Sequence, residues 1–546
     1  MATSSPEPGL ILQNGRFFAP QDPIKVDQNA FQECMIIQNR LITHIGPSTG
    51  AVVTSARENG FQTLSLDNKI ILPGFIDSHM HLLLLGLSLT KLDLSTCTDL
   101  PSIRSSITAY AAAHPHLPRI LCRGWMHSMT DGKALASMID DLDPRPIFID
   151  AKDLHSTWCS TSALEEMRVA ELPSQPGGFI ERDEAGNPTG LIAEASVLTL
   201  VWPHLASVAS EEDKLAALST AIDEYSAAGY TGLVDMAMDQ AAWDALLLLR
   251  SRQKLPVRIA AHWLITPSTP DDGLAQVRVA VALNELYSQQ TSPNLRIAGI
   301  KIITDGVIDA CTAALSKPYA DPVTHCPPLW TAEMLGPVVA AADAAGLQVA
   351  LHAIGDAAIH MSIDALATCT PGRRHRVEHL ELASPEDARR LGQLGITASV
   401  QAVHADPAIL RAWPRLLGEE RTKRAFAYRE FKDGGAVVAL GTDAPTAPLG
   451  AWGNLYTAVT RRSTRAGGEE LEPVNPEFAL ELADAVAAAT QGAALACFAE
   501  GTCGSLKEGL SADFVVADVE WKGEGLIKGV VRETWFEGRK VFSVEE

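Results

Sequence analysis

Between about residue 73 and residue 500, apolar strand-length runs alternate with Ala- and Leu-rich stretches of helical period. That alternation limits the chain to a parallel sheet covered by crossover helices. Leu347-Gln348-Val349-Ala350-Leu351 is followed by a helical stretch near Ala357 to Ala367. Gly395 to Val400 is preceded by one at Pro385 to Leu394, and Ala436 to Leu440 follows an Arg- and Lys-rich one near Arg421 to Asp433. Eight such units would close an α/β barrel of the (β/α)8 type.

The two ends have a different texture. Leu10-Ile11-Leu12, Met35-Ile36-Ile37 and Leu41 to Ile45 are separated by Asn-Gly, Asn-Arg and Gly-Pro turn signals. Short β-like runs return at Asp513 to Ala517 and Val530 to Trp535, after the Gly504 to Gly509 segment. Residues 1–72 and 501–546 are therefore expected to pair into a small composite β-sandwich flanking a barrel of residues 73–500. The Pro- and Gly-punctuated stretch at about 82–201 reads as an insertion after the first barrel strand. A chain of 546 residues, 47% hydrophobic, is long enough for both bodies.

Composition removes several classes of function. The formal charge of −22 repels phosphate backbones and anionic membrane surfaces, which argues against a nucleic-acid partner. The longest apolar run, Leu82 to Leu89, is far short of the ~20 residues of a membrane span. Nine scattered cysteines, odd in number and without a C-x-x-C pair, indicate neither a disulfide framework nor a zinc ribbon. Met1 to Gly9 lacks the basic and apolar regions of a signal peptide. The expectation is a cytoplasmic protein.

Chemistry enters at Ile70-Ile71-Leu72-Pro73-Gly74-Phe75-Ile76-Asp77-Ser78-His79-Met80-His81. This is an apolar strand ending in histidines at i and i+2, which places both imidazoles on one face. Two neutral imidazoles side by side suit a borderline divalent ion such as zinc, and catalytic residues collect at the C-terminal ends of barrel strands. A bare H-x-H also fits two unrelated surface or core histidines.

The run from Pro73 to His81 resembles the first-strand motif of the amidohydrolase superfamily almost position for position. Members of that superfamily supply next, in order, a lysine, two single histidines and an aspartate at strand ends. This chain offers Lys301 in Gly299-Ile300-Lys301-Ile302, His352 in Ala350-Leu351-His352-Ala353, His379 in Arg376-Val377-Glu378-His379, and Asp443 in Gly441-Thr442-Asp443-Ala444-Pro445. The finer resemblance is to the YtcJ-like branch, amidohydrolase family 3, and covers nearly the whole chain. It includes Gly177 to Asp183, Pro188 to Glu194, Thr312 to Leu315 with Pro318-Tyr319, and Gly504 to Asp518. The chain departs at Leu154, where many members carry glycine before the histidine, and at Cys311, where an arginine is common.

The resemblance implies a divalent-metal centre. Its binuclear form has His79, His81 and Asp443 on one ion, His352 and His379 on the other, and Lys301, carboxylated on Nζ, bridging them. The alternative is a single ion on His79, His81, His352 and Asp443 beside an unmodified Lys301. In either form Asp443 is the expected catalytic base. Trp125, His127, His155, Trp158, Gln401 and His404 are the candidate substrate contacts. The implied reaction is hydrolysis of an amide-type C–N bond, such as N-acyl, N-formyl or cyclic amide, in a small molecule. Lyase, deaminase or isomerase chemistry on the same centre is the alternative. A non-catalytic binding protein would have lost ligands, and none is missing. Assembly as a homodimer is left open.

Overall fold

Eight short runs rich in Ile, Val, Leu and Ala form the strands of one parallel sheet: β1 (Phe75–Met80), β2 (Tyr230–Met238), β3 (Arg258–Ile265), β4 (Leu295–Ile303), β5 (Gln348–Ala353), β6 (Arg376–His379), β7 (Thr397–Val400) and β8 (Val438–Leu440). They pair in that order, every ladder parallel. The computed structural model describes residues 9–22, 25–152, 156–172, 178–194, 196–267, 269–465 and 471–544. The last strand returns to the first just beyond β8, where the Asp443 amide donates to the His79 carbonyl at 2.6 Å and the His81 amide to the Ala444 carbonyl at 2.9 Å. Gly441 permits that approach, since a Cβ there would lie 2.5 Å from the His79 nitrogen.

Period two along each strand sorts the side chains. On β4, Ile300 and Ile302 join the core under the helices, and on β5 Val349 and Leu351 do the same. Their alternates, Lys301, Ala350 and His352, face the barrel interior. An apolar layer of Ile76, Val234, Met236, Ala260, Ala350 and Ala439 packs there against Ala493, Ala494 and Ala496. Beside it lies a buried polar knot. Arg376 Nη2 donates to the Ser78 carbonyl and to Ser399 Oγ, each at 2.7 Å, and Arg376 Nε donates to Glu378 Oε1 at 2.8 Å.

Strands from both chain ends share one eight-stranded sheet. Its path runs Arg539–Ser543, Val530–Phe536, Phe514–Asp518, Ile70–Pro73, Leu10–Phe18, Phe31–Gln38, Leu41–Gly46, with Gln62–Ser65 also pairing the Leu10–Phe18 strand. The two chain ends thus pair with each other in this sheet. One of its faces gathers Leu12, Phe17, Met35, Ile71, Phe514 and Trp535 into a core of their own. Leu72 and Val515, paired across the ladder, belong instead to the barrel's core.

Between β1 and β2 the chain builds a separate six-stranded sheet, from Leu92–Asp93 to Pro188–Glu194. It too has its own core. One other expectation changes in detail. The Arg- and Lys-rich helix at 421–433 is broken into Glu419–Thr422 and Tyr428–Asp433 by Phe426, whose φ is +60°. Tertiary contacts hold that break open: the Phe426 amide donates to the Glu381 carbonyl at 2.8 Å, and Arg461 reaches the carbonyls of Ala425 and Phe426. No helix among the described residues is long and apolar enough to cross a membrane.

Candidate metal centre

His79 and His81 project from the end of β1 onto one face, as their spacing requires. Each ring is oriented through Nδ1. His79 Nδ1 meets Glu378 Oε2 at 2.7 Å, and His81 Nδ1 donates to the Met236 carbonyl at 2.7 Å. With both Nδ1 protons engaged, both Nε2 lone pairs face the same point. Asp443 Oδ1 stands there, 3.4 Å from His79 Nε2 and 3.1 Å from His81 Nε2. Lys301 Nζ approaches from β4, 3.4 Å from His79 Nε2.

Asp443 reaches this position because the chain leaves β8 in the left-handed region, with φ +61°. The preceding Thr442 is clamped by Asp77, whose Oδ1 accepts from the Thr442 amide at 2.9 Å, and Asp77 also receives the Tyr225 hydroxyl at 3.0 Å. His379 is turned inward in the same way, with φ +74° followed by +55° at Leu380. Such residues cost about 1–3 kcal/mol each and persist where the surroundings over-determine them. The His379 ring lies 5.0 Å from that of His79 and 4.3 Å from that of His352, centroid to centroid. His352 Nε2 faces the Gly306 carbonyl at 3.4 Å and Asp305 Oδ1 at 3.6 Å. The barrel mouth thus gathers His79, His81, Asp443, Lys301 and His379, with His352 packed against His379.

The donor set fits a divalent cation. One ligand atom each from His79, His379 and Asp443 lies within 4.8 Å of the others. His379 Nδ1 and Asp443 Oδ1 are buried without a hydrogen-bond partner, although each is surrounded by groups able to share a metal. Burial pulls the imidazoles of His79 to about 4 and His352 to about 3, so both are neutral at neutral pH. Burial also draws the Lys301 ammonium down to about 8, against the pull of Glu378 and Asp443.

The substrate candidates separate. Gln401 and His404 follow β7 at the mouth. His404 stacks on His379 at 5.9 Å with an interplanar angle of 16°, and its Nε2 lies 3.8 Å from Asp443 Oδ2. Trp125 and Trp158 are fully buried in the core of the six-stranded sheet, their rings 5.5 Å apart. Their indole nitrogens donate to Thr130 Oγ1 and the Leu135 carbonyl, so packing accounts for both. His127 reaches Ser156 Oγ at 3.1 Å within the same sheet. His155, and Leu154 before it, lie outside the described residues.

Three carboxylates escaped the sequence reading. Glu378 orients His79, Asp305 backs His352, and Glu381 lies 3.5 Å from His404 Nδ1, so that His379, Glu381 and His404 form a second convergent group. Glu378 was detectable in principle as the acid beside a ligand histidine. Asp305 and Glu381 carry no local pattern.

The model of the amidohydrolase family matches residues 62–542. The chain belongs to the amidohydrolase family. It is 30% identical to the LONG AFTER FAR-RED 3 protein of Arabidopsis thaliana over 93% of this chain and 86% of the relative. It is 28% identical to YtcJ of Bacillus subtilis (strain 168), named as an amidohydrolase, over 83% and 85%. An N-substituted formamide deformylase of Arthrobacter pascens is 24% identical over 90% and 91%. Among solved structures, an uncharacterized metal-dependent hydrolase from Pyrococcus horikoshii superposes with a TM-score of 0.77 at 25% identity, covering 94% of this chain and 98% of that one. This amidohydrolase is accordingly a YtcJ-like, metal-dependent hydrolase.

Glu378 should be structurally expensive to alter in this amidohydrolase. Glu378→Gln leaves the Arg376 guanidinium buried without its counter-charge, a loss of about 3–5 kcal/mol. It also weakens the anchor on His79, which should lower metal affinity by about 10–100-fold. Urea denaturation of the metal-free variant and competitive metal titration of the loaded one check the two effects separately. Wild-type values in both would show that the pair is dispensable.

Proposed function

We propose that this amidohydrolase cleaves an amide-type C–N bond, N-acyl, N-formyl or cyclic amide, in a small molecule. The observation that carries the reading is the convergence of four imidazoles, Asp443 and Lys301 at the mouth of the barrel. The formamide deformylase among its relatives supports C–N cleavage. In this reading His79, His81 and Asp443 hold one ion, His352 and His379 a second, with zinc the preferred metal for such a nitrogen- and oxygen-rich set.

Lys301, as its Nζ carbamate, would complete the set of residues that holds them. An ammonium group there would oppose the cations, whereas the depressed lysine supplies neutral amine at mildly alkaline pH. That amine forms an N–C bond to CO2 and releases a proton, and the product is an anion with two oxygens. Bound in this set, a divalent ion supplies Lewis acidity, polarising a carbonyl and lowering the pKa of water from 15.7 towards about 7.

The protein's own groups do the rest. Glu378 and the Met236 carbonyl keep His79 and His81 in one tautomer. Asp443 directs Oδ1 at those imidazoles, which leaves Oδ2 to take the proton of the attacking water and return it to the departing nitrogen. Nine unpaired cysteines accord with a reducing compartment such as the cytoplasm.

Assay of N-formyl, N-acyl and cyclic amides in 18O-labelled water tests the reading. Hydrolysis should place solvent oxygen in the carboxylate product, release an amine, and stop on chelation. Turnover of such compounds without solvent oxygen at the carbonyl carbon would favour lyase or isomerase chemistry and reject hydrolysis.

A further inference from the structure

Gln401 continues the alternation of β7. Ala398 and Val400 point outward into the core under the helices, while Ser399 points inward and accepts from Arg376. Period two therefore sets the Gln401 side chain on the interior face, one layer nearer the mouth than Ser399. Its backbone carbonyl is held by the Tyr428 hydroxyl at 3.2 Å and the His404 amide at 3.0 Å. His404, in the same turn, stacks on His379 and approaches Asp443. The residue is thus anchored beside the metal ligands.

Its side chain is 1% exposed, yet neither Oε1 nor Nε2 has a hydrogen-bond partner. Gln348, on β5, shows the opposite pattern. Its Nε2 donates to the Ala496 carbonyl at 2.8 Å and to the Arg374 carbonyl, and its Oε1 is 2.9 Å from His262 Nε2. Buried Gln491 likewise commits its Nε2, to the Pro20 carbonyl at 2.7 Å, although its Oε1 has no partner, and such use of the amide is expected because a buried unpaired amide is destabilising. Gln401 is fixed through its backbone and keeps its amide for something else.

We propose that Gln401 reads the substrate by a paired contact, its Nε2 donating to a carbonyl and its Oε1 accepting from the adjacent N–H. This rests on the amide-hydrolase reading above and narrows its substrate class. Both contacts require H–N and C=O on one edge, as in lactams, cyclic ureides and primary carboxamides. An open-chain secondary amide is trans, so its N–H and C=O point in opposite directions and only one contact forms. A carboxylate would set its charge against Oε1. The substrate class is a cyclic amide or ureide, or a primary carboxamide, in preference to a linear N-acyl amine.

The test uses the full-length, metal-loaded protein with hydantoin, 5,6-dihydrouracil and benzamide, each beside its fully N-methylated counterpart. Calorimetric Kd, or KM where a compound is turned over, gives a parent-to-methylated ratio. Wild type should prefer at least one parent by tenfold or more, since a site built to pair an N–H rejects the analogue lacking it. In Gln401→Met the ratio should fall to within about threefold, with Tm unchanged or raised because an unpaired polar group has been removed. Gln401→Glu, which keeps the size and replaces the Nε2 donor with a second acceptor, should lose the preference as well.

Absence of binding by every parent, equal binding of parent and methylated compounds, or a ratio retained in both variants would overturn the proposal. A lower Tm with an unchanged ratio would assign Gln401 to the fold. Hydrolysis of linear N-acyl amines with flat ratios would leave the amide-hydrolase reading intact and remove this one. A Gln401-dependent ratio without any C–N hydrolysis would do the reverse.

Discussion

Asp443→Asn should lower kcat on the order of 1,000-fold while the protein still folds and retains much of its metal. The substitution keeps the size of the side chain and an oxygen able to face His79 and His81, at 3.4 and 3.1 Å in the native arrangement. What it removes is the carboxylate that takes up a proton. The three imidazoles around Asp443 hold its carboxyl well below the usual range despite burial, so it is ionised across neutral pH. Steady-state kinetics with metal analysis on the same preparation decide the matter. Full activity would refute the assignment, and metal loss in proportion to activity would make Asp443 a ligand without a role in proton transfer.

Lys301→Met should reduce bound metal from two ions per chain to one and cut activity by at least about 100-fold. Methionine fills the same buried space on β4, where Lys301 is 2% exposed, and cannot be carboxylated. Metal content after reconstitution with and without bicarbonate gives an independent reading. Wild type should need bicarbonate for its second equivalent, and the variant should ignore it. Two ions per chain in Lys301→Met, or a bicarbonate-independent wild type, would favour the single-ion alternative.

How far the site could be read beforehand depended on the range of each cause. The His79–His81 pair was legible because strand geometry repeats every two residues and the neighbouring Pro-Gly-Phe-Ile-Asp-Ser pattern is local. The helix at Pro385–Leu394 was legible for the same kind of reason, since Ser384 caps it and Gly395 ends it in the left-handed region. The helix across 421–433 was not, because its break at Phe426 is held by Glu381 and Arg461, distant in sequence. The tryptophans were ambiguous for a related reason. A large aromatic side chain suits a pocket wall and a core equally well, and only the packing of the six-stranded sheet shows Trp125 and Trp158 in contact with each other.

By itself the sequence determined the alternation of strands and helices, the resemblance to the amidohydrolase family, and six candidate ligands in chain order from His79 to Asp443, because these rest on periodicity and on motifs complete within a few residues. Tertiary structure decided the rest. Closure of β8 onto β1 brings Asp443 to His79 across more than 360 residues and gathers Glu378, Glu381 and Asp305 behind the imidazoles. It also separates buried Gln348, whose amide is satisfied at both atoms, from buried Gln401, whose amide is satisfied at neither. Whether a polar group has a partner is a property of its whole surroundings, and no short window of sequence contains those surroundings.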